Sequence, residues 1–348
     1  MTTRAPSIRD VAKVAGVSTA SVSRTLSNPE MVSEATRALV FNAVQQTGYR
    51  INVSARNLRK QATSAIAVLV PNLANPFFAR ILSGIAEVMS GAGFSVLIAD
   101  TTPMSLDDHR VPAFLSLNQT DGLIVLDGLL ERDALLNRGT PASRAPMVFA
   151  CEWNENLVRP SVTIDNQDAA RRAIRHLVSL GHKRIGVLNG PRDNVLTQAR
   201  LEGAQGAIHE SGLELPKRWV FDGDFTLQAG VRAAALWLGA QNRPTAVFCA
   251  SDEMAMGFIG ELNQRGVRVP DEVSVVGFDD LEIAAHFVPP LTTIHQPREA
   301  IGRAAAQMLL DRMSLSVQER ERQPAPKLVL PVDLVIRKST SPPRQSAG

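Results

Sequence analysis

Apolar residues near the start of the chain recur at the three- and four-residue intervals of one helix face. Two such series follow one another within residues 7–28: Ile8, Val11, Ala12 and Ala15, then Val22 and Leu26. Gly16 separates the two series, and glycine can end a helix in the left-handed conformation at little steric cost. The pattern predicts a helix, a tight turn and a second helix.

Hydroxyl side chains precede both predicted helices. Ser7 is a candidate N-cap with the acidic Asp10 three residues later, and Ser18 can cap the second helix. The outer face of the second helix is small, polar and cationic, with Thr19, Ala20, Ser23 and Arg24. Such a helix is typical of one that docks in the major groove of DNA. Spacing alone also allows an ordinary helical hairpin.

Two further segments complete the first 61 residues. Ser33 can cap a third helix that ends at Gly48, with an apolar face of Leu39, Val40, Ala43 and Val44. Residues 50–61, RINVSARNLRKQ, carry four cationic side chains and can bury little surface alone. The sequence therefore predicts a helical head over residues 1–49 and a linker over residues 50–61 that is poorly ordered without a partner.

From about residue 62 onward, short apolar strands alternate with helical patterns. The candidate strands are AIAVLV, FSVLIAD, GLIVLD, PMVFAC, SVTID, RIGVLNG, WVFDGD, TAVFCAS and VSVVGFDD. Continuous apolar strands between helices predict parallel sheets covered on both faces, and the strands are too many for one ordinary sheet. We expect an α/β body of two doubly wound lobes over residues 62–340. KLVLPVDLVIRKS should form a strand pair that returns to the second lobe, and residues 341–348 a disordered tail.

Composition and charge narrow the class of protein. The 348 residues contain no run of about 18 apolar residues, and MTTRAPSIRD lacks an apolar signal core, so we expect no membrane contact and a cytoplasmic location. Cys151 and Cys249 lie in apolar runs, which argues against a disulfide framework or a zinc site. We expect no cofactor. Residues 1–60 carry a net charge of +6 and the remainder −3. This distribution is typical of a head that contacts phosphates, although a solvated basic surface would give the same count.

Polar residues follow many of the predicted strands, at the sheet edge where doubly wound folds bind ligands. They are Asn72, Asn75, Asp100, Asp127, Asp165, Asn189, Asp224, Ser251, Asp252 and Asp279. Asp165 and Asp252 also precede predicted helices, where they can serve as N-caps. Phe77, Phe78 and Phe225 lie just after strand ends in a chain with 5% aromatic residues. Rings beside carboxylates and an arginine favour a flat, hydroxylated ligand, while core filling is the alternative for Phe77.

The order V-S-x-x-x-V-S-R-x-L-x-N, carried by residues 17–28, resembles the lactose repressor and galactose repressor family of bacterial regulators. NPFF, IDN, GHKRIG, RPTAVFC and PPLTTIHQP resemble the purine and cytidine repressor branch of that family. The resemblance covers about residues 7–340. It implies a transcriptional regulator, expected to be a repressor, that binds double-stranded operator DNA as a homodimer. It also implies an effector-binding body with the fold of periplasmic sugar-binding proteins.

In that fold the chain crosses between the lobes three times. By resemblance the crossings fall near Thr163, Thr292 and Pro324. Lobe 1 then comprises residues 62–162 and 293–324, and lobe 2 comprises residues 163–292 and 325–340. Residues 50–61 correspond to a hinge helix that folds against DNA, in which Leu58 takes the place of a leucine wedged into the minor groove and Ala55 packs beside it.

The resemblance assigns roles to the exposed face of the second helix. Thr19, Ala20 and Arg24 take the base-reading positions. Arg24 can donate two hydrogen bonds to guanine, while the two short side chains can contact a thymine methyl group. The remaining DNA-binding candidates in the head are Ser7, Ser18, Ser21, Ser23 and Asn28, the last four through phosphate contacts.

In the body, Phe78 and Phe225 match positions that contact an effector ring. Arg200 matches an arginine that clamps effector oxygens, and Asp279 matches the carboxylate expected to face it from the other lobe. The further effector candidates are Phe77, Asp127, Asp165, Asn194, Leu196 and Ser251. Asn194 and Leu196 replace an arginine that reads a base edge and its neighbouring threonine. This departure argues against guanine or hypoxanthine and favours a sugar or a nucleoside.

A small-molecule binding protein or enzyme with an accessory head is the alternative function. The chain has no G-x-x-x-x-G-K-[ST] loop, no G-x-G-x-x-G after the first strand and no G-x-S-x-G elbow, and its six histidines show no metal-ligand spacing. We therefore expect no enzymatic activity. Either inducer or corepressor action, and either a dimer or a tetramer, is compatible with these motifs.

Overall fold

The computed structural model describes residues 6–49, 63–101, 120–130, 135 and 145–344. The chain forms two compact units, Met1–Thr63 and Ser64–Gly348, which we call the head and the body. The predicted hinge helix over residues 50–61, with Ala55 and Leu58, lies outside the described residues.

The head consists of helices joined by short turns: α1 Ile8–Ala15, α2 Thr19–Ser27, the 3-10 helix Pro29–Met31 and α3 Glu34–Thr47. The backbone N–H and the hydroxyl of Ser7 donate to the Asp10 carboxylate at 2.8 and 2.6 Å, so α1 begins where the sequence predicts. It ends at Gly16, whose φ of 67° is left-handed. The Ser18 hydroxyl oxygen accepts a hydrogen bond from the Ser21 N–H at 3.0 Å and thereby caps α2.

A small apolar core joins these helices. Its buried members are Val11, Ala12, Ala15, Val22, Val40 and Ala43. The prediction that Leu39 belongs to this core is wrong, because its side chain is 53% exposed. Leu39 lies roughly 90° around α3 from the centre of the stripe formed by Val40, Ala43 and Val44, since successive residues are about 100° apart.

Lobe 1 of the body is built on the first sheet. Its strands are β1 Ala65–Val70, β2 Ser95–Asp100, β3 Gly122–Val125, β4 Met147–Ala150, β5 Ser161–Ile164 and β11 Lys327–Leu330. Among the described residues they have the order β11-β5-β4-β3-β1-β2, with every neighbouring pair parallel. Its helices are α4 Phe77–Gly91, α9 Arg298–Met313 and α10 Val317–Arg322.

Lobe 2 is built on the second sheet. Its strands are β6 Ile185–Leu188, β7 Val220–Phe221, β8 Ala246–Cys249, β9 Ser274–Asp279, β10 Thr292–His295 and β12 Asp333–Val335. The described strands have the order β12-β10-β9-β8-β6-β7, and only the β10–β12 pair is antiparallel. The helices are α5 Asn166–Ser179, α6 Val195–Glu210, α7 Leu227–Gly239 and α8 Asp252–Gln264, with short 3-10 helices at Lys217–Trp219 and Glu282–Ala285.

The chain crosses between the lobes after β5, after β10 and between β11 and β12. The predicted crossings near Thr163 and Thr292 therefore cut through strands that stay in one sheet. The crossing predicted near Pro324 is wrong by a whole strand, because residues 327–330 pair with β5 in lobe 1 and only β12 returns to lobe 2. Two similar apolar strands in succession do not reveal which sheet each one joins, since that depends on long-range pairing.

Glycines allow helices of the same lobe to pack backbone against backbone. A Cβ atom at Gly84 of α4 would meet the carbonyl oxygen of Glu299 in α9, and one at Gly302 of α9 would meet that of Ile81. In lobe 2, a Cβ atom at Gly230 of α7 would meet a backbone oxygen of α8. These contacts hold each helix pair at a fixed separation over its sheet.

The C-terminal segment is ordered further than predicted. Tail disorder from residue 341 is wrong for residues 341–344, whereas residues 345–348 lie outside the described part of the chain. The N–H of Ser341 donates to the Ser274 hydroxyl at 3.0 Å, and its carbonyl oxygen lies 2.9 Å from Nε2 of the buried His182. These buried partners in lobe 2 order a segment whose composition alone predicts disorder.

Candidate functional site

The base-reading candidates share the exposed face of α2: Thr19, Ala20 and Arg24. On the opposite face, Val22 and Thr25 are fully buried. The Thr25 hydroxyl donates to the carbonyl oxygen of Ser21 at 2.8 Å, so this polar residue is satisfied within the helix. The exposed face of α2 therefore carries the short side chains of Thr19 and Ala20 and the cationic side chain of Arg24.

Hydroxyl groups surround the first turn of α2. Ser18 is exposed, Ser21 is half-buried, and their hydroxyl oxygens lie 2.9 Å apart. Ser23 and Ser7 are half-buried, while Asn28 is exposed at the end of the helix. The positive end of the helix dipole and the unpaired first-turn N–H groups make such a helix start favourable for a phosphate oxygen.

A cleft of about 360 Å³ lies between the two lobes of the body. The lobe 1 wall is formed by the start of α4 and by the loops after β1, β3 and β4, and it includes Phe77, Phe78, Asp127 and Glu152. The lobe 2 wall is formed by α6, the end of β9 and the loops after β6, β7 and β8, and it includes Asn194, Leu196, Arg200, Phe225, Ser251 and Asp279. The carboxyl ends of parallel strands from both sheets thus converge on a space of the size that small ligands occupy.

Arg200 is fixed in the lobe 2 wall with 2% of its surface exposed. Its Nε donates to Asn166 Oδ1 at 2.9 Å, and its Nη1 donates to the Ala250 carbonyl oxygen at 2.6 Å. Burial lowers the pKa of the guanidinium, an effect opposed by the nearby Asp279 carboxyl. A cation held this rigidly can pair with ligand oxygens at little conformational cost.

Asp279 ends β9 beside this arginine. Its Oδ1 accepts a hydrogen bond from Gln296 Nε2 at 2.7 Å. Burial raises its pKa to about 6, although Arg200 and Arg298 act in the opposite direction. Its φ of 117° is rarely adopted by L residues, and such strain is concentrated at functional sites.

Aromatic rings line both sides of the cleft. The rings of Phe77 and Phe78 meet edge to face, with centroids 5.1 Å apart. The N–H of Phe77 donates to Asn75 Oδ1 at 2.9 Å, which fixes the start of α4 at the cleft. On lobe 2, Phe225 lies with its ring centroid 5.9 Å from the Arg200 guanidinium carbon.

Glu152 connects the two lobes at the cleft. Its Oε2 accepts a hydrogen bond from the N–H of Gly128 in lobe 1, and its Oε1 accepts one from Asn194 Nδ2 in lobe 2, both at 2.8 Å. Burial raises the pKa of Glu152 to about 7, while these two hydrogen bonds act to lower it. The carboxyl group therefore changes charge near neutral pH.

Known proteins match both units of the chain. Residues 7–52 match the bacterial regulatory proteins, lacI family, and residues 174–340 match the periplasmic binding protein-like domain. The chain is 38% identical over 338 residues to the HTH-type transcriptional repressor CytR of Escherichia coli (strain K12), which covers 97% of this chain and 96% of that protein. The chain belongs to the lacI family. It is a DNA-binding transcriptional regulator with a periplasmic-binding-protein-like body.

Other similar proteins support the same family and fold for this lacI-family regulator. It is 35% identical over 335 residues to the HTH-type transcriptional repressor PurR of Photobacterium profundum, covering 95% of this chain and 98% of that protein. The lac repressor dimer bound to operator and the anti-inducer ONPF has a TM-score of 0.83 at 28% identity, covering 97% and 100% of the two chains. The CelR–cellobiose complex has a TM-score of 0.71 at 33% identity, covering 96% and 99%. The predicted family and fold class are confirmed.

The cleft of this lacI-family regulator brings together most of the predicted effector residues. Phe77, Phe78, Asp127, Asn194, Leu196, Arg200, Phe225, Ser251 and Asp279 line it. Asp165 is not among the lining residues. It is exposed, and its Oδ1 accepts a hydrogen bond from the N–H of Asp168 at 2.8 Å, so it serves as the N-cap of α5. The expectation that Asp279 faces Arg200 from the other lobe is wrong, because both residues belong to lobe 2.

Glu152 and Cys151 are among the cleft residues of the lacI-family regulator that were not predicted as effector contacts. Glu152 follows the strand PMVFAC directly, and this strand-end position is the signal that could have identified it. Cys151, which the sequence assigns to packing, also lines the cleft. Burial raises the pKa of its thiol, so Cys151 contributes a neutral, weakly polar surface.

Within the residue ranges that the structure describes, no three His, Cys, Asp or Glu side chains are grouped to hold a metal ion. Over the same ranges, no helix combines the length and the hydropathy needed to cross a membrane.

Proposed function

We propose that this regulator is a homodimeric repressor whose operator affinity is set by an uncharged sugar or nucleoside bound between its lobes. The observation that carries this proposal is the cleft itself. Arg200 and Asp279 form one polar wall, and the rings of Phe78 and Phe225 provide flat apolar surface. Bidentate polar groups beside aromatic rings recognise a flat, hydroxylated ligand.

The charge of the cleft supports an uncharged ligand. Asp127, Asp224 and Asp279 contribute carboxyl groups, while Arg200 contributes a cation among the lining residues. Phosphate groups would be repelled by this excess of acidic groups. The CelR–cellobiose complex supports a sugar as one of the two ligand classes, because its body has the same fold.

The DNA-binding mode that we propose uses one head for each half of a pseudo-palindromic operator. A two-fold dimer presents two copies of α2 to successive major grooves, with Thr19, Ala20 and Arg24 facing the bases. The lac repressor is a dimer in its operator complex, which supports the same assembly here. Such a protein acts on DNA in the cytoplasm, and its repressor relatives support regulation rather than catalysis.

Two measurements test this function in the full-length protein. Electrophoretic mobility shifts with DNA from the protein's own promoter region should give salt-sensitive, sequence-selective binding. Thermal-shift screening with cytidine, adenosine, ribose and cellobiose should raise the melting temperature with one of the two classes. A ligand at a hundred times its Kd stabilises the protein by about 2.7 kcal/mol. Equal affinity for random DNA would contradict the regulator function, and stabilisation only by phosphorylated ligands would contradict the proposed effector class.

A further inference from the structure

We propose that Glu152 determines effector affinity as a proton-dependent bridge: closing the cleft on an effector buries this carboxyl group between the lobes and takes up one proton. This inference rests on the proposed function of the cleft as the effector site. It adds an affinity-determining residue that was not among the effector contacts predicted from the sequence.

The geometry places one carboxyl group on both sides of the cleft. Glu152 is 4% exposed and belongs to the loop after β4 in lobe 1. One oxygen accepts from Gly128 N–H within lobe 1, and the other accepts from Asn194 Nδ2 in lobe 2, each at 2.8 Å. Opening the lobes must break the second bond and expose the carboxyl group to water.

The lobe 2 partner has a fixed orientation. Asn194 Oδ1 accepts hydrogen bonds from the N–H groups of Leu196 and Thr197 at 2.9 and 3.2 Å, as the N-cap of α6. Its oxygen is therefore committed to the helix, and its nitrogen faces Glu152. Because a cap cannot rotate without releasing the first turn of its helix, the Glu152–Asn194 bond depends directly on the separation of the lobes.

The groups around Glu152 determine its charge. Burial and the Asp127 carboxyl favour the protonated form, whereas Arg200 and the hydrogen bonds from Gly128 and Asn194 favour the ionised form. The balance places the pKa at about 7 in this closed arrangement, compared with an ordinary value of 4.5. An open, hydrated cleft returns the pKa toward that ordinary value. Closure is therefore favoured as the pH falls from about 8 to 6.

A second contact between the lobes provides a matched control. Arg80 on α4 forms an ion pair with Glu282 of lobe 2, but their side chains are 51% and 70% exposed. Exposed pairs contribute little free energy because water and salt screen them. Glu282→Gln thus removes a carboxylate from the interface between the lobes without removing a buried titratable group.

The first test measures the Kd of the full-length protein for cytidine and for cellobiose by calorimetry at pH 6, 7 and 8. The ratio of wild-type to Glu152→Gln affinity should fall about tenfold from pH 6 to pH 8, because the closed state retains a proton that the open state loses. Using this ratio cancels the titration of Asp279, which is present in both proteins. Glu282→Gln should keep the wild-type dependence. A wild-type to Glu152→Gln ratio that is constant with pH overturns the proposal.

A second variant keeps the test independent of how well Glu152→Gln folds. Asn194→Asp retains the capping oxygen but places a second carboxyl group against Glu152. Two adjacent carboxyl groups share one proton, so the decline in affinity should move above pH 8. An unchanged midpoint in this variant contradicts the bridge between the lobes.

A comparison with and without ligand separates this inference from the proposed function. At pH 6, difference infrared spectra of wild type and Glu152→Gln should contain a protonated carboxyl band when cytidine or cellobiose is bound, and this band should be missing from the ligand-free protein and nearly lost at pH 8. If a ligand binds at pH 6 without this band, the proposal for Glu152 is overturned while the effector site stands. If neither ligand binds, the proposed effector classes fail, and with them the bridge that depends on an effector-closed cleft.

Discussion

The guanidinium carbon of Arg200 lies 3.7 Å from the centroid of the Phe278 ring. Phe278 is fully buried in β9, so the cation of the cleft packs directly on the core of lobe 2. Stacking on one side and hydrogen bonds to Asn166 and Ala250 on the edges hold the guanidinium plane. The position of this effector-clamping candidate is therefore determined by the core of the lobe rather than by the ligand.

Arg200→Lys should weaken effector binding while sparing DNA binding without effector. An ammonium group cannot stack on Phe278 and donate in two fixed directions as a guanidinium does. Loss of a hydrogen bond to a charged group costs about 1.5–3 kcal/mol, so calorimetry should give roughly a 10- to 100-fold higher Kd. Arg192→Lys is the matched control, because Arg192 pairs with Asp222 at an exposed site where its side chain is 80% exposed. Equal effects of both variants would contradict a specific role for Arg200.

Arg24→Ala should relax the base preference at one position of each operator half-site. Arg24 is exposed on α2, and a bidentate contact to guanine contributes about 1–3 kcal/mol of discrimination. Binding selection on randomised half-sites measures this effect. Arg9→Ala, an exposed arginine on α1, should change affinity for all sequences equally. Unchanged selectivity in Arg24→Ala would exclude Arg24 from base recognition.

Gly84→Ala should destabilise the body by about 1–3 kcal/mol. The added Cβ atom meets the carbonyl oxygen of Glu299, and the backbone of α9 cannot withdraw without loosening its packing on α4. Gly91→Ala, in the same helix, has open space around its Cβ position and should be neutral or stabilising by about 0.5–1 kcal/mol. Urea unfolding of the two variants measures the difference. Similar free energies of unfolding for the two variants would show that the close α4–α9 contact does not determine the stability of the body.

His182 should make the protein less stable as the pH falls below about 6.5. Burial lowers its pKa from the ordinary 6.5, so in this range the unfolded chain binds a proton that the folded chain does not. Protonation therefore stabilises the unfolded state, and stability is lost as the pH decreases. Glu152 and Asp279, with raised pKa values, have the opposite sign. The measurement is thus the difference in free energy of unfolding between wild type and His182→Gln from pH 7.5 to 5.5. A difference that stays constant with pH would contradict this role.

The local sequence pattern was sufficient to predict the helices of the head and many of the strands and helices of the body. Ser7, Gly16 and Ser18 mark helix ends because capping depends on residues within one turn of each other. The exposed face of α2 follows from the 3.6-residue period once Val22 is placed in the core. Apolar runs such as AIAVLV identify strands buried on both faces, and β1 is fully buried as they predict.

The sequence pattern was insufficient where one residue suited two alternative environments. Leu39 is apolar, but it lies about 90° around α3 from the buried stripe and is 53% exposed. Asp165 has the right strand-end position for the cleft, but its carboxylate turns to its own helix. A residue at the end of a strand can either cap the next helix or face the ligand. The orientation of its side chain decides between these roles, and residue spacing does not predict that orientation.

Periodicity, capping residues and charge in the sequence determined that the protein has a basic helical head and an alternating α/β body, because these features arise from interactions within a few residues. Only the tertiary structure decided that β11 joins lobe 1, that Arg200 packs on Phe278, and that Glu152 reaches Asn194 across the cleft. Each of these pairs is separated by tens of residues or more, and its contacts form only when folding brings the distant segments together and removes them from water.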